Sequence, residues 1–353
     1  MNAALEQPLA VVSPLPQTTR AQLLGVVRHG NTEIALLDTP GLHKPRTELG
    51  RRMNQAARDA VQDADIIVFV TDIPVRAEAA RRDEIKADKK AAAKADASSK
   101  SARPSSGEAP PHIEIHPGDR VLLSDLPAET PVLLVMNKVD RLKDKKLLLP
   151  ILQTYAKLRS FAALVPISAR RSDGVVRVLD EVSALCPEGE FRYAADELTD
   201  KPMRFFAAEY VREQILRATE KEVPHATAVV VERYVEPSSG GQVQIDATIH
   251  VERAGQKKIL IGAGGAMLKR IGTDARKRLE ALVGGPIYLK LWVRVTPDWR
   301  QSKAMLEEFF ESKSGQAPDA VLGGPSDVSP DRTEALDDEA GDDGAGEEEK
   351  RDD

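Results

Sequence analysis

The sequence predicts an α/β protein, a doubly wound and mostly parallel sheet followed by a smaller α+β domain. Between Leu23 and Ser168, short uninterrupted apolar runs alternate with segments of helical length. Runs without polar alternation are typical of strands covered on both faces, and the intervening helices would supply the covers. After residues 196–202 the pattern changes to a helix, strands, a glycine-rich turn, a helix and a strand. This change predicts the second domain.

Each strand of the predicted parallel sheet is an apolar run. The runs are residues 34–37, 66–70, 132–136 and 164–167. Ligands of such sheets bind beyond the carboxyl ends of the strands. Three of the runs end in small polar motifs, which are Asp38 to Gly41, Asn137 to Asp140, and Ser168 with Ala169. The sequence therefore predicts a binding site along this edge.

Length and cysteine content exclude several classes of protein. At 353 residues the chain has room for about two domains with two buried cores, which excludes a small stapled scaffold. The single cysteine, Cys186, cannot form an internal disulfide or a thiolate metal site, which predicts a reducing compartment such as the cytoplasm. No apolar run approaches the roughly 18 residues of a membrane-spanning helix. Residues 1–10 lack the features of a signal peptide.

Charge is distributed unevenly along the chain. The net charge of the whole sequence is −6, but residues 315–353 hold 14 Asp and Glu against 3 Lys and Arg, and the preceding residues together carry +5. Residues 251–300 alone carry +7, a local concentration that attracts polyanions. Two segments contain too few large apolar residues to bury a core, and both are expected to be surface segments of low complexity. They are an insertion at residues 76–119 and a disordered acidic tail at residues 313–353.

The motif that starts at Asn137 predicts a site for guanine. The carboxylate of Asp140 can accept two parallel hydrogen bonds, and guanine offers adjacent N1–H and N2–H donors that adenine lacks. Asn137 would tie the surrounding loops together, and the Lys138 stem would cover one face of the base. A plain polar turn after a strand is the alternative. The presence of two companion motifs in order favours the nucleotide site.

The companion motifs suit the phosphates and the base. Asp38 can hold a water of a Mg²⁺ ion, and the unhindered amide of Gly41 can donate to a terminal phosphate. Ser168 and Ala169 would present small side chains and backbone amides to the guanine carbonyl. Together the three motifs predict a complete set of contacts for the base and part of the set for the phosphates.

These residues resemble the Era family of translation-factor-related GTPases. The resemblance is close at residues 16–20, 38–43 and 137–140. It implies a P-loop-GTPase-like first domain over residues 1–195, in which Thr18 and Thr19 lie in the first switch and one of the two hydroxyls binds Mg²⁺ when the triphosphate is bound. The candidate nucleotide-binding residues are therefore Thr18, Thr19, Asp38, Thr39, Pro40, Gly41, Asn137, Lys138, Asp140, Ser168 and Ala169, and the candidates for metal contact are Thr18, Thr19 and Asp38.

Two features of the sequence bear on hydrolysis of GTP. Leu42 occupies the position where Ras-like enzymes carry a water-orienting Gln, so slow turnover through another group or a backbone amide is expected and no catalytic residue is assigned. The sequence also contains no GxxxxGKS or GxxxxGKT loop to cradle the phosphates. Either the natural chain starts upstream of this sequence, or it has lost the loop and is a pseudo-GTPase. A first domain without that loop and its strand would have a hole in its sheet with unpaired backbone groups, which favours the first alternative.

A second motif predicts contact with RNA. Residues 262–265, Gly-Ala-Gly-Gly, follow a strand-like run at residues 257–261 and open a helix with one apolar stripe. The stripe leaves the basic residues of the helix largely toward solvent, which are Lys269, Arg270, Arg276, Lys277 and Arg278. A turn without side chains lets a sugar–phosphate backbone approach the helix amides and dipole. The segment from Pro202 to Arg300 resembles the type II KH domain of the Era family, although the variable pair of the turn lacks a basic residue. The candidate RNA-binding residues are Lys257, Lys258, Gly262, Ala263, Gly264, Gly265, Lys269 and Arg270.

The resemblance implies a KH domain over residues 196–312 and a function for the whole chain. That function is GTP-binding and RNA-binding in small ribosomal subunit assembly, with Mg²⁺ and GTP or GDP as cofactors and ribosomal RNA and the small subunit as partners. Nucleotide state would control RNA binding. The family also implies a cytoplasmic monomer with peripheral association with the inner face of the plasma membrane. The competing interpretation is a non-enzymatic RNA-binding assembly protein whose first domain is a pseudo-GTPase docking module.

Overall fold

The computed structural model describes residues 1–15, 18–42, 45–74, 113, 115–237 and 241–310. By its contacts the chain divides into two units. Unit 1 contains Met1–Ala10, Thr19–Lys44 and Arg52–Asp200, and unit 2 contains Val11–Thr18, Pro45–Arg51 and Lys201–Asp353. Most of the expected insertion and all of the expected acidic tail lie outside the described residues.

A strand occurs at each of the four apolar runs, and further strands and helices complete the described chain. The elements are, in order, α1 (Asn2–Leu5), β1 (Leu23–His29), β2 (Thr32–Asp38), α2 (Glu48–Asp63), β3 (Ile67–Asp72), α3 (Pro117–Asp125), β4 (Val132–Asn137), α4 (Leu148–Ala156), β5 (Ala163–Pro166), α5 (Val175–Ser183), α6 (Met203–Ala218), β6 (Thr227–Val235), β7 (Val243–Val251), α7 (Ala254–Ile261), α8 (Ala266–Val283), β8 (Ile287–Val295) and α9 (Lys303–Phe310).

Unit 1 contains an antiparallel hairpin whose first strand the apolar runs did not predict. β1 and β2 pair from Leu23 opposite Asp38 to His29 opposite Thr32. The turn between them contains Gly30, whose φ of +58° lies in the left-handed region that two-residue hairpin turns require. The hairpin holds Asp38 at the end of β2 and so fixes the start of the polar motif.

The second sheet of unit 1 is parallel, with the order β3, β4, β5. Its central strand is buried on both faces. Leu134 packs in one cluster with Tyr155 of α4, and Val135 on the opposite face packs in another with Val178 of α5. This two-sided burial is the physical reason for the unbroken apolar run in β4.

The end of the expected insertion belongs to the core of this sheet. Ile113 and Ile115 are buried and lie in the same cluster as Leu134. Helix α3 begins at Pro117, and the ring of His116 accepts a hydrogen bond from the Gly118 N–H at 3.1 Å. The expectation of a surface segment is therefore wrong for residues 113 and 115, because these two alternating isoleucines are buried in the core.

β2 and β3 lie in different sheets, and no strand of the described chain joins them. A cavity of about 1410 Å³ is lined by residues of both strands, of α5 and of the segment around Cys186. In this cavity Leu37 and Val70 remain 42% and 58% exposed. The expectation that each apolar run is covered on both faces is therefore wrong for β2 and β3.

Unit 2 contains a mixed three-stranded sheet with the order β6, β7, β8. β6 and β7 are antiparallel, and β7 and β8 are parallel. Leu289 and Leu291 of β8 are buried, and a Cβ atom added to Gly272 of α8 would meet Leu291 at 3.5 Å. Helix α8 therefore packs directly on the buried face of the sheet.

The run at residues 257–261 is helical, so the expectation of a strand is wrong. It forms the second half of α7, whose start is capped by Gln256. The side-chain oxygen of Gln256 accepts hydrogen bonds from the N–H groups of Glu252 and Arg253, both at 3.0 Å. A cap of this kind satisfies amides that a helix start leaves unpaired. Two helices, α7 and α8, thus flank the glycine-rich turn.

Candidate functional site

Asn137 connects the loops that follow β4 and β5. Its Oδ1 atom accepts hydrogen bonds from the Lys138 N–H at 2.7 Å and from the Ala169 N–H at 3.1 Å. The Val139 N–H donates to the Ile167 carbonyl at 3.1 Å. Because β4 and β5 are parallel neighbours, their carboxyl ends meet at one edge of the sheet. The amide of Asn137 therefore fixes both loops at the place where the sequence predicts the base.

Asp140 and Ser168 form the second connection between these loops. The Ser168 hydroxyl donates to Oδ1 of Asp140 at 2.7 Å, and Ser168 is only 1% exposed. This hydrogen bond, with Arg170 and Arg171 nearby, holds the pKa of Asp140 below its usual value. The backbone of Ser168 pairs with that of Asp173 in both directions, at 2.9 and 3.2 Å. Asp140 is thus a charged and oriented acceptor.

Lys138 extends toward the neighbouring strand. Its backbone has a φ of +62°, a left-handed conformation that is uncommon for a residue with a side chain. Its ammonium group contacts Oδ2 of Asp72 at 2.5 Å, and Asp72 is the last residue of β3. The sequence-based site did not include Asp72. Its position two residues after the apolar run 66–70 is the signal that could have identified it.

The two threonines that the sequence could not distinguish make different contacts. The Thr19 hydroxyl donates to Oδ2 of Asp38 at 3.1 Å, whereas the Thr18 hydroxyl donates to the Leu15 carbonyl at 2.9 Å. Burial raises the pKa of Asp38, and the bond from Thr19 opposes that rise. The described residues contain no cluster of three or more His, Cys, Asp or Glu that could hold a metal ion. A hydroxyl and a carboxylate are oxygen ligands of the kind that Mg²⁺ takes alongside water and phosphate.

The rest of the Asp38 motif is only partly accessible. Pro40 is buried, Thr39 is half-buried, and a Cβ atom added to Gly41 would meet no atom within 4 Å. Open space at Gly41 is compatible with the close approach of a phosphate. Residues 16, 17 and 43, which carry part of the family resemblance, lie outside the described residues.

The glycine-rich turn between α7 and α8 requires glycine at two positions. Gly262 has a φ of +74°, and a Cβ atom there would lie 2.8 Å from Cβ of Met267. Gly265 has a φ of +77° at the residue that caps α8. Such backbone conformations strain residues with side chains. The turn therefore presents bare backbone at the start of α8.

Basic side chains surround this turn. Lys258, Lys269 and Arg270 are exposed, and Lys257 is half-buried. Within the turn, Ala263 and Gly264 are exposed. Cations beside exposed amides at a helix start form a surface for the phosphates of a nucleic acid.

Arg278 of α8 departs from its expected exposure. Its guanidinium lies 4.1 Å from the centre of the Tyr210 ring, and it pairs with the carboxylate of Glu213. The apolar stripe of α8 gave no sign of this, because both partners belong to α6, more than sixty residues earlier in the chain. The expectation that Arg278 faces solvent is wrong.

The fold and the two sites define the class of this protein as a guanine-nucleotide-type α/β domain joined to a KH-type RNA-binding domain. Residues 1–106 match a protein family described as 50S ribosome-binding GTPase, and residues 222–300 match the KH domain family. The chain is also 38% identical over 313 residues to the GTPase Era of Lactobacillus delbrueckii subsp. bulgaricus, covering 89% of this chain and 91% of that protein. The chain belongs to the Era GTPase family, which confirms the family resemblance.

Other relatives and solved structures agree. The GTPase Era of Xanthomonas oryzae pv. oryzae is 40% identical over 309 residues, covering 87% of this chain and 90% of that protein. A crystal structure of an Aquifex aeolicus Era variant bound to GDP and AlF4⁻ has a TM-score of 0.73 with 30% identity, covering 88% of this chain and 92% of that chain. A structure of Era in complex with MgGDPNP and nucleotides 1506–1542 of 16S ribosomal RNA has a TM-score of 0.72, also with 30% identity and the same coverage. The predicted fold class is confirmed.

None of the helices within the described ranges is both long and apolar enough to cross a membrane. The expected peripheral association with a membrane receives no support from the relatives.

Proposed function

We propose that this protein is a cytoplasmic GTP-binding factor that binds small-subunit ribosomal RNA through its KH domain during subunit assembly. The observation that carries the proposal is a pair of hydrogen bonds, from the Ala169 N–H to Asn137 and from the Ser168 hydroxyl to Asp140. They build a guanine-type acceptor in a chain that also has a glycine-rich turn among exposed cations. The solved Era complex with MgGDPNP and 16S ribosomal RNA supports both ligand classes.

In the proposed nucleotide site, Asp140 would accept the N1–H and N2–H of guanine, while the Ala169 and Ser168 backbone would face the guanine carbonyl. The low pKa of Asp140 keeps the carboxylate charged, and the bond from Ser168 fixes its orientation. Two charge-assisted hydrogen bonds to one carboxylate give both strength and geometric selectivity. Adenine, which lacks these two adjacent donors, would be rejected.

Thr19 and Asp38 are the residues that would hold Mg²⁺ with a bound nucleotide. They already contact each other through side-chain oxygens at 3.1 Å, whereas the Thr18 hydroxyl donates to the Leu15 carbonyl. When bound, the ion would neutralise charge on the terminal phosphates. We therefore infer that Thr19, and not Thr18, is the switch threonine that responds to the triphosphate.

Hydrolysis of GTP to GDP in this site would not use the side chain of Leu42. An alkyl group has no hydrogen-bonding atom and cannot orient an attacking water. A backbone amide or another polar group would orient the water, and slow turnover is expected. The alternative of a non-enzymatic docking domain is not supported by the relatives, which are named as GTPases.

RNA would bind where α8 begins. The exposed side chains of Lys258, Lys269 and Arg270 would contact phosphates beside the bare backbone of Gly264. Small-subunit ribosomal RNA is the proposed ligand because the structure of the related Era complex contains that RNA.

A base-exchange experiment tests the nucleotide part of this function. Asp140→Asn replaces an acceptor oxygen by an NH₂ donor, so the variant should lose affinity for a fluorescent GDP analogue and gain affinity for the xanthosine analogue, whose base presents a carbonyl at that position. Asp144→Asn is the matched control, because Asp144 caps the nearby Lys146 N–H at 3.0 Å outside the site. Equal GDP affinity of the wild type and Asp140→Asn would overturn the proposed guanine contact.

A further inference from the structure

The residues that precede Thr19 are bound to one helix of unit 2. Oε1 of Glu213, on α6, accepts a hydrogen bond from the Val12 N–H at 3.2 Å, and the Arg217 guanidinium donates to the Val12 carbonyl at 3.3 Å. Nη2 of Arg212 donates to the Thr18 carbonyl at 2.7 Å. The segment Val11–Thr18 is therefore attached to α6 near both of its ends.

Two of the attaching side chains are buried charges. Arg212 is 2% exposed and Glu213 is 0% exposed. Each has a charged partner, since Arg212 contacts the Glu209 carboxylate at 2.7 and 2.5 Å and Glu213 contacts Arg217 at 2.7 Å. A buried ion is costly unless it is paired and hydrogen-bonded. If the attached segment leaves α6, water can solvate these charged side chains. An apolar contact surface of the same size would instead be exposed unfavourably.

Glu213 also contacts the helix that follows the glycine-rich turn. Its second oxygen, Oε2, pairs with Arg278 of α8, whose guanidinium lies over the Tyr210 ring at 4.1 Å. Helix α8 begins at Ala266, directly after Gly265. One buried carboxylate therefore binds the Val11–Thr18 segment with one oxygen and the proposed RNA-binding helix with the other.

We propose that Glu213 and Arg212 are positioning residues that couple the nucleotide site to the RNA surface, an inference that rests on the proposed function. Thr19 contacts Asp38 at the metal side of the site, and the chain continues from Thr19 directly into the attached segment. A change in nucleotide state that moves this segment would withdraw the Val12 N–H from Glu213. The Glu213 carboxylate would then lose one hydrogen bond and shift toward Arg278. This shift would displace α8 and the glycine-rich turn before it.

Thermodynamic linkage makes the proposal quantitative. If the nucleotide changes RNA affinity by a given factor, RNA must change nucleotide affinity by the same factor. Loss of the Glu213 connection should reduce both factors together. Substitution of a residue with a purely structural role would instead alter the stability of the protein. Alternatively, it would weaken the binding of both ligands, and the loss of RNA affinity would be the same with either nucleotide.

Val12→Pro is the sharpest variant, because proline lacks the N–H that Glu213 accepts while all side chains of α6 remain. Val12→Ala is its matched control, since it keeps the N–H and removes a side chain that is 55% exposed. The probe is an RNA with the sequence of nucleotides 1506–1542 of 16S ribosomal RNA, the fragment of the related complex. Its dissociation constant would be measured with GDP and with a non-hydrolysable GTP analogue.

In the wild type and in Val12→Ala, we expect the two dissociation constants to differ by about fivefold or more, the lower end of usual allosteric coupling. In Val12→Pro the ratio should fall to less than about twofold. Glu213→Gln, which removes the charge that faces Arg278, should reduce the ratio in the same way. Its matched control is Glu280→Gln, where the carboxylate pairs with Arg276 of α8 at 3.9 Å.

Folded Val12→Pro and Glu213→Gln proteins that keep the wild-type ratio would overturn the coupling role. Equal RNA affinity of the wild type in the two nucleotide states would overturn it as well. Failure of the wild type to bind either ligand is a different result, because it contradicts the proposed function itself.

Discussion

The hydroxyl of Ser168 donates to Oδ1 of Asp140 at 2.7 Å, so the loop after β5 orients the carboxylate in the loop after β4. Two residues 28 positions apart in the chain thus form one acceptor. Ser168 is almost fully buried, and its backbone pairs with Asp173, so the donor has little freedom to turn away. The side chain that would recognise guanine is therefore held in place before any ligand binds.

Ser168→Ala should weaken GDP binding and shift its pH dependence. The Ser168 bond lowers the pKa of Asp140, so wild-type Asp140 stays charged as the pH falls; without the bond, protonation occurs at a higher pH. Because a hydrogen bond to a charged group is stronger than one between neutral groups, we expect a loss of GDP affinity of roughly tenfold. Fluorescent GDP titration from neutral to acidic pH measures both effects. Ser183→Ala on α5 is the control, and a variant with the wild-type pH profile would contradict the prediction.

Thr19→Val and Thr18→Val should differ in their response to Mg²⁺. Thr19 contacts Asp38, so its loss should remove most of the gain in GTP-analogue affinity that Mg²⁺ gives, while GDP affinity changes little. The Thr18 hydroxyl donates to the Leu15 carbonyl and not to Asp38, so Thr18→Val should keep that gain. The measurement is the affinity for each nucleotide with and without Mg²⁺. The opposite pattern would assign the metal contact to Thr18.

Gly264→Asp should weaken RNA binding without unfolding the domain. A side chain at Gly264 would meet no atom within 4 Å, and aspartate tolerates its φ of +55° better than most residues. The added carboxylate would repel phosphates, with an expected loss of about tenfold. Gly264→Asn has the same shape without the charge and serves as the control. In contrast, Gly262→Ala should lower the melting temperature, because its Cβ would lie 2.8 Å from Met267.

Removal of residues 315–353 should raise RNA affinity at low salt. This segment carries a net charge of −11 and lies in the same chain as a KH region of +7 over residues 251–300, so it should compete with RNA for the basic surface. The effect should disappear at high salt, where charges more than about one Debye length apart are screened. Equal RNA affinity of the full and shortened chains at low salt would contradict this competition.

The contacts among Asn137, Asp140 and Ser168 could be predicted from the sequence because these residues lie close to strand ends. Asn137 and Ser168 each directly follow an apolar run, Asp140 lies three residues after Asn137, and the parallel sheet brings such ends together. The connection of Glu213 to Arg278 and Val12 was not predictable in the same way. It depends on three segments that are distant in the chain, and charged residues in a helix ordinarily indicate a solvent-facing side. Thr18 and Thr19 are adjacent and chemically identical, so the sequence alone does not distinguish them, whereas the acceptors of their hydroxyls, the Leu15 carbonyl and Asp38, do.

The separation of β2 from β3 has a consequence for how unit 1 holds a ligand. Among the described residues no backbone ladder joins the hairpin, which carries Asp38, to the parallel sheet, which carries Asp140. Segments without shared hydrogen bonds can open independently, as separate cooperative units with their own local stability. The metal side and the base side of the proposed nucleotide site therefore share no backbone ladder among the described residues, and we expect each to open with its own local stability. A nucleotide that touches both would itself act as the crosslink that makes them unfold together.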